Sequence, residues 1–225
     1  MLKHHPTPES IVELGLDDLT QVMKKVSRGK LGRQRAEQLY EAAKSCVGIS
    51  EGRESILLEI EHLNAMIENE DRFITSLEKQ MLSYLEQIPY SVSLLSIKGL
   101  GVVTVAGLIG EVGDFKKFDT HDEIMKLAGF DLYEVSSGQH RGQRHISKRG
   151  RALMRKLLYF AAINVVRSQG IMHARYQQML DRGMAKPKAL IAISRKLLRL
   201  IFALARDNTM YIQNYDPTHN YQLAA

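Results

Sequence analysis

Between Glu54 and Gln87 apolar residues recur every seven positions, with Ile60, Ile67, Ile74, Met81 and Ile88 on one line and Ile56, Leu63, Leu77 and Tyr84 on a second. Such a pair of lines predicts one long helix with a coiled-coil seam, because a 3.5-residue repeat keeps the same stripe turned towards a partner helix. Glu70 interrupts the second line and would weaken a symmetric seam. Glu59, Glu61, Glu68, Asn69, Asp71 and Arg72 fall between the lines and fit a solvated exterior. Pairing with a second copy and folding back on the same chain are the two uses open to such an arm.

Upstream, the pattern predicts two shorter helices, Asp17 to Val26 and Gly32 to Ser45, separated by the breaker run SRGKLG. Pro6 and Pro8 predict an extended lead-in rather than a folded start. Downstream, Pro89 stops the long helix and a compact domain is expected from Ser91. Helical spacing returns from Thr120 to Ala128, with Asp119 or Thr120 as N-cap, and again from about Gly150, where Leu153, Leu157, Phe160, Ala161, Asn164 and Val165 form one stripe. Two more helices are expected, Ile171 to Leu180 and Lys188 to Ala205, the last with Pro187 in its N-terminal turn. Three glycines and few apolar side chains between Gly138 and Gly150 predict a loop or short hairpin. The fold class is therefore all-α: a helical linker region over 1–53, a coiled-coil arm over 54–88, a compact helical domain over 91–206 and a polar, fraying tail over 207–225.

Charge changes this picture more than composition does. From Val135 to Arg206 the chain carries sixteen of its 31 Lys and Arg residues but one of its 25 acids, Asp181. The remainder holds 15 basic and 24 acidic residues, so a net charge of +6 conceals a polarised molecule. Clustered Lys and Arg are what a polyanion surface needs, since phosphate contacts release counterions and dominate affinity. A solvated face balanced by the acidic remainder is the alternative. The single cysteine, Cys46, excludes an intrachain disulfide, and MLKHHPTPES lacks the apolar stretch of a signal peptide. Apolar runs such as Leu157 to Val166 fall short of the ~20 residues that cross a bilayer, so no membrane partner and a cytoplasmic, nucleoid-associated setting are expected.

Two motifs point at phosphate chemistry. In SIKGLGVVTVAGLIGEVGD, the residues Ile97, Gly99, Leu100, Gly101 and Ala106 follow the h-x-G-h-G-x-x-x-x-A pattern of a helix-hairpin-helix over 97–110. Glycines at Gly99 and Gly101 let the backbone come close to a phosphate, and the amides of the next helix then point at it; a tight turn between packed helices is the alternative. In SSGQHRGQRHISKRGR, Ser136 and Ser137 precede Gly138, and Arg141, Arg144, Lys148, Arg149 and Arg151 follow with His140 and His145 interleaved. Attack by a serine on phosphorus needs proton removal, leaving-group protonation and cations on the non-bridging oxygens, and the guanidinium fork supplies the last of these. A serine-glycine pair by itself more often marks a turn.

The ordered run GLGVVTVAGLIGEVGDF, KLAGFDL, SSGQHRGQRHISKRGR, LLYFAA and ALIAISRKLLRLIFAL resembles the C-terminal transposase domain of the insertion-sequence one-ten family, the Piv/MooV-type recombinases described as guided by a bridge RNA. The resemblance covers Leu94 to about Ala205, and the upstream helices look similar to the family's middle region. It implies DNA strand exchange through a covalent serine-DNA link, with Ser137 at the matching position in the serine loop over 135–150 and Ser136 as runner-up. Implied partners are DNA, a structured guide RNA and further copies of the chain through the coiled coil. Family members begin with a RuvC-like domain whose acids bind divalent metal, and no segment here resembles it. No metal site and no cofactor are expected in this chain, Mg2+ being expected only with that domain, and the chain alone is expected to be catalytically incomplete. Leu132 departs from the proline common before the serine loop. A non-catalytic nucleic-acid-binding and oligomerisation module, from a truncated or remnant transposase, is the competing reading.

Overall fold

The computed structural model describes residues 3–48, 51–134 and 144–213. The described residues form ten α-helices and one two-stranded antiparallel sheet, an all-α architecture. The chain divides into two compact units, Met1–Ser76 and Leu77–Ala225.

In the first unit, α1 (Pro8–Leu14), α2 (Leu16–Val26) and α3 (Arg33–Lys44) pack together around Leu19 and Ala36. The helix α1 corrects the expectation of an extended lead-in. Pro8 occupies the first helical position, where its missing N–H costs nothing, and Thr7 and Ser10 cap each other's backbone in a reciprocal pair. Arg33 on α3 reaches Asp17 on α2 at 3.2 Å, an exposed pair of small energetic weight. The first part of α4 (Arg53–Leu85) belongs to this unit, where Arg53 pairs with Glu9 and Lys3 with Glu68. Along it Ile56, Leu63, Ile67 and Ile74 are exposed, and Ile60 is half-buried.

The second unit holds the main core. After α4 ends, α5 (Ser91–Leu95), α6 (Val102–Val112), α7 (His121–Leu127), α8 (Ala152–Val165), α9 (His173–Asp181) and α10 (Lys186–Asp207) follow, with a short 3-10 turn at Phe115–Lys117. Asp114 caps that turn by accepting from the Lys116 amide at 3.0 Å. The helix α10 is central: it packs on α8, α7, α5 and α9, and buries Ile193, Leu197, Leu198, Ile201 and Phe202. Tyr90 meets Phe115 edge to face at 5.6 Å, and its hydroxyl donates to the Gly113 carbonyl at 3.2 Å.

Two expectations about this unit are corrected. The stripe of α8 that faces the core is Met154, Leu158, Ala161, Ala162 and Val165, while Leu153, Phe160 and Asn164 are exposed. Two adjacent stripes of this helix are apolar, and packing against α10 and α6 selects between them. The chain after Asp207 is also fastened rather than frayed as far as it is described. Asn208 ends α10 in the left-handed conformation, the Ser93 hydroxyl meets its side-chain oxygen at 3.3 Å, and the Tyr211 amide donates to the Ser96 hydroxyl at 2.8 Å.

Candidate nucleic-acid interface

The hairpin that carries the serine loop rises from α7 and returns to α8. Its arms are β1 (Leu132–Glu134) and β2 (Arg144–Ile146), paired with Leu132 opposite Ile146, Tyr133 opposite His145 and Glu134 opposite Arg144. Ser136, Ser137, Gly138, His140 and Arg141 lie outside the described residues. What the structure describes is their mounting.

That mounting is close-packed backbone. The Ser147 amide donates to the Asp131 carbonyl at 2.8 Å, the Lys148 amide to Gly129 at 3.0 Å and the Arg151 amide to Leu127 at 2.9 Å. A Cβ on Gly150 would stand 2.4 Å from the Leu127 carbonyl oxygen and 2.6 Å from the Gly129 nitrogen, distances no side chain tolerates. The two segments therefore pass at backbone contact only because residue 150 is glycine. Arg155, one turn into α8, donates to the Ala128 and Gly150 carbonyls at 3.0 Å each and ties the crossing to the helix. The sequence pattern gives no direct indication of this structural task. Its only signal is the pair of glycines, 21 positions apart, that the crossing brings together.

The cations on the hairpin fall into two groups. The Arg144 Nε donates to Glu134 at 3.0 Å, and Arg151 lies 3.9 Å from Glu111 on α6. Lys148 and Arg149 are exposed and form no ion pair among the described residues; Lys148 is held in the left-handed conformation at φ 55°. His145 is exposed and sits with its ring 6.2 Å from that of Tyr133. Hence Lys148 and Arg149 offer charge directly, whereas Arg144 and Arg151 must exchange a carboxylate for any phosphate they take.

The glycine turn lies between α5 and α6. Gly99 adopts φ 108°, and a Cβ there would meet the Val165 methyl of α8 at 3.0 Å, so both backbone and packing require glycine. Gly101 is the N-cap of α6 in extended conformation, is exposed, and has no neighbour within 4 Å of where its Cβ would be. No side chain caps the α6 N-terminus. Gly99 thus has a structural reason independent of any ligand, and Gly101 does not.

Among the described residues no three His, Cys, Asp or Glu side chains come together so as to hold a metal ion. The resemblance assigns Mg2+ to a RuvC-like domain, and the described residues of this chain offer it no ligand set. No described helix is long and apolar enough to cross a membrane.

Comparison with known proteins bears on this same region. Residues 92–177, from α5 into α9, match the model of the Transposase IS116/IS110/IS902 family. The chain is 29% identical over 136 residues to the Insertion element IS110 uncharacterized 43.6 kDa protein of Streptomyces coelicolor, a stretch that is 60% of this chain and 34% of that protein. It is 26% identical over 141 residues to a probable family 20 transposase of Pseudomonas aeruginosa, covering 61% of this chain and 42% of that one. It is also 29% identical over 132 residues to the pilin gene-inverting protein of Moraxella lacunata, covering 57% and 41% respectively. The matched stretch thus spans 34–42% of these relatives' own length. The likeness to the Transposase IS116/IS110/IS902 family thus falls on residues 92–177, in the C-terminal part of this chain.

Proposed function

We propose that this chain acts in DNA recombination by an insertion element, binding DNA through the hairpin face and exchanging strands through a covalent link from Ser137. The observation that carries the reading is that the transposase-family match includes the whole hairpin, whose serine loop stands on a base locked by Gly150 and Arg155. A nucleophile gains most from a mounting that does not move, because attack needs the reacting atoms held within a few tenths of an ångström.

In the proposed step the Ser137 oxygen bonds to phosphorus as one bridging P–O bond breaks. The hydroxyl gives up its proton, and the departing sugar oxygen takes one up. One phosphodiester is exchanged for another, so the link stores the energy of the broken bond and rejoining needs no external energy source. Arg141 and Arg144 would neutralise the non-bridging oxygens, with Lys148, Arg149 and Arg151 on flanking phosphates. Gly99 and Gly101 would set the α6 amides against a further phosphate, the helix-hairpin-helix contact that positions backbone without reading bases. Through the exposed α4 seam a second copy would bring a second serine to a second duplex. A structured guide RNA, and a RuvC-like domain with Mg2+, would complete the assembly.

The test is a covalent adduct. With a RuvC-like domain and Mg2+ supplied, a DNA substrate interrupted at the cleavage position should leave protein-linked DNA visible after denaturation. Ser137→Ala should abolish the adduct, while Ser136→Ala should retain it. Retention in Ser137→Ala with loss in Ser136→Ala moves the nucleophile by one residue. Undiminished DNA binding with no adduct from any of the three proteins identifies a non-catalytic binding module instead.

A further inference from the structure

Residues of α9 and α10 line an open recess of about 660 Å3. Four cations line it: Arg175 from α9, and Arg195, Lys196 and Arg199 from α10. None of the four forms an ion pair among the described residues, although Arg206, on the same helix, does. Arg195 is the least solvated of them, and its Nε is the one buried side-chain nitrogen or oxygen among the described residues without a hydrogen-bond partner. Burial, and after it the adjacent Arg199 charge, lowers its pKa, with Asp131 and Asp122 opposing. Cationic groups held near each other without a directly paired carboxylate repel one another, and a phosphate would relieve that repulsion.

The floor is not charged. Met172 at the N-cap of α9, Met179 within it and Leu200 from α10 supply polarisable and aliphatic surface, and Tyr211 also lines the recess. Tyr211 is placed there deliberately by backbone, since its amide is bound to Ser96 and its side chain packs on the core. A second recess of about 550 Å3 shares Arg175 and Met179 and adds Arg182 and Lys188, so the basic lining continues along α9. Arg195, Lys196, Arg199 and Tyr211 all lie beyond the residues matched by the family model.

We propose that the α9–α10 recess is a second nucleic-acid site, taking an unpaired nucleotide of a single strand with its phosphates on the four cations and its base against Tyr211 and the methionines. A cationic track beside an aromatic face is how single strands are held without reading sequence, because every base has a stackable face. A duplex keeps its bases stacked inside and cannot fill an apolar recess of nucleotide size. Single-stranded RNA and single-stranded DNA share this chemistry. The site does not depend on the strand-exchange reading of the hairpin.

The test is fluorescence anisotropy of the full chain with labelled 12-nucleotide RNA, the same sequence as DNA, and the corresponding DNA duplex. Tyr211→Ala should weaken single-strand binding at least about fivefold, as loss of one stacked base predicts, while Tyr211→Phe retains it. The exposed reversal Lys196→Glu should weaken it as well without touching the core, and Arg195→Ala with Arg199→Ala should weaken it most. Duplex affinity should stay within about twofold in each, and fall instead in Lys148→Ala with Arg149→Ala; that contrast separates this site from the hairpin. The stronger of the RNA and DNA arms names the source of the strand. Equal losses for single strand and duplex, an unchanged single-strand affinity in all these variants, or displacement of the oligonucleotide by polyglutamate as readily as by unlabelled strand would each overturn the proposal.

Discussion

At the residue scale, a strict demand at the base of the hairpin falls on Gly150. An added methyl there meets two backbone atoms, which cannot rotate aside as a side chain can. Overpacking of this kind costs about 1–3 kcal/mol, and the upper end applies where the neighbours are backbone. Gly150→Ala should therefore lower the thermal midpoint by about 6–12 °C at the ~2–4 °C per kcal/mol typical of this chain length. Arg155→Ala should cost about 1–3 kcal/mol by leaving the Ala128 and Gly150 carbonyls without their donor. Calorimetry of the two variants checks both; a Gly150→Ala protein as stable as the parent would mean that the two segments separate easily. Neither demand is legible along the sequence, because Gly150 looks like any loop glycine until the segment before β1 is laid beside it. Gly99 differs, since its turn is local and the flanking pattern exposes it, although the packing against Val165 is again invisible until the fold is known.

Periodicity is the signal that works at the scale of elements. It placed α2, α3, α4 and α8 to α10 within a few residues, because each has a stripe of recurring apolar positions or a proline or glycine at its end. It failed where capping outweighs pattern, as in α1, whose Thr7 and Ser10 build a helix start around Pro8. It was also blind to orientation in α8, where Leu153 and Phe160 are as apolar as the residues buried. The seam of α4 is the element whose partner the pattern suggests most clearly. Exposed apolar residues at heptad spacing are costly in isolation, and Ile67 alone is 60% exposed. If a second copy covers them, Ile67→Asp should shift the chain from dimer or higher oligomer to monomer in sedimentation equilibrium while leaving helicity intact, since Ile67 is exposed and outside the buried core. A parent chain that sediments as a monomer at tens of micromolar would remove the coiled-coil reading.

For the whole molecule the governing quantity is the unequal distribution of charge. Sixteen cations against one acid over 135–206, beside 15 cations against 24 acids elsewhere, predict that duplex binding draws its electrostatics from the basic stretch alone. Each neutralised phosphate contributes about 0.9 to the slope of log affinity against log salt on B-DNA. Lys148 and Arg149, exposed and without ion pairs among the described residues, need not break an existing bond to bind, so replacing both by alanine should reduce the slope by about 1.8. Arg144 and Arg151 must first leave Glu134 and Glu111, so their phosphate contacts carry an opposing term that removing the acids would relieve. Glu134→Gln should accordingly tighten duplex binding modestly, by a factor of about two to five if the pair is worth the usual ~0.5–1 kcal/mol of an exposed bridge. Lys24→Ala with Lys25→Ala, exposed cations on α2 in the acidic part, should leave the slope where it was. A slope that falls equally for α2 and hairpin variants would mean that net charge, and not this interface, holds the DNA.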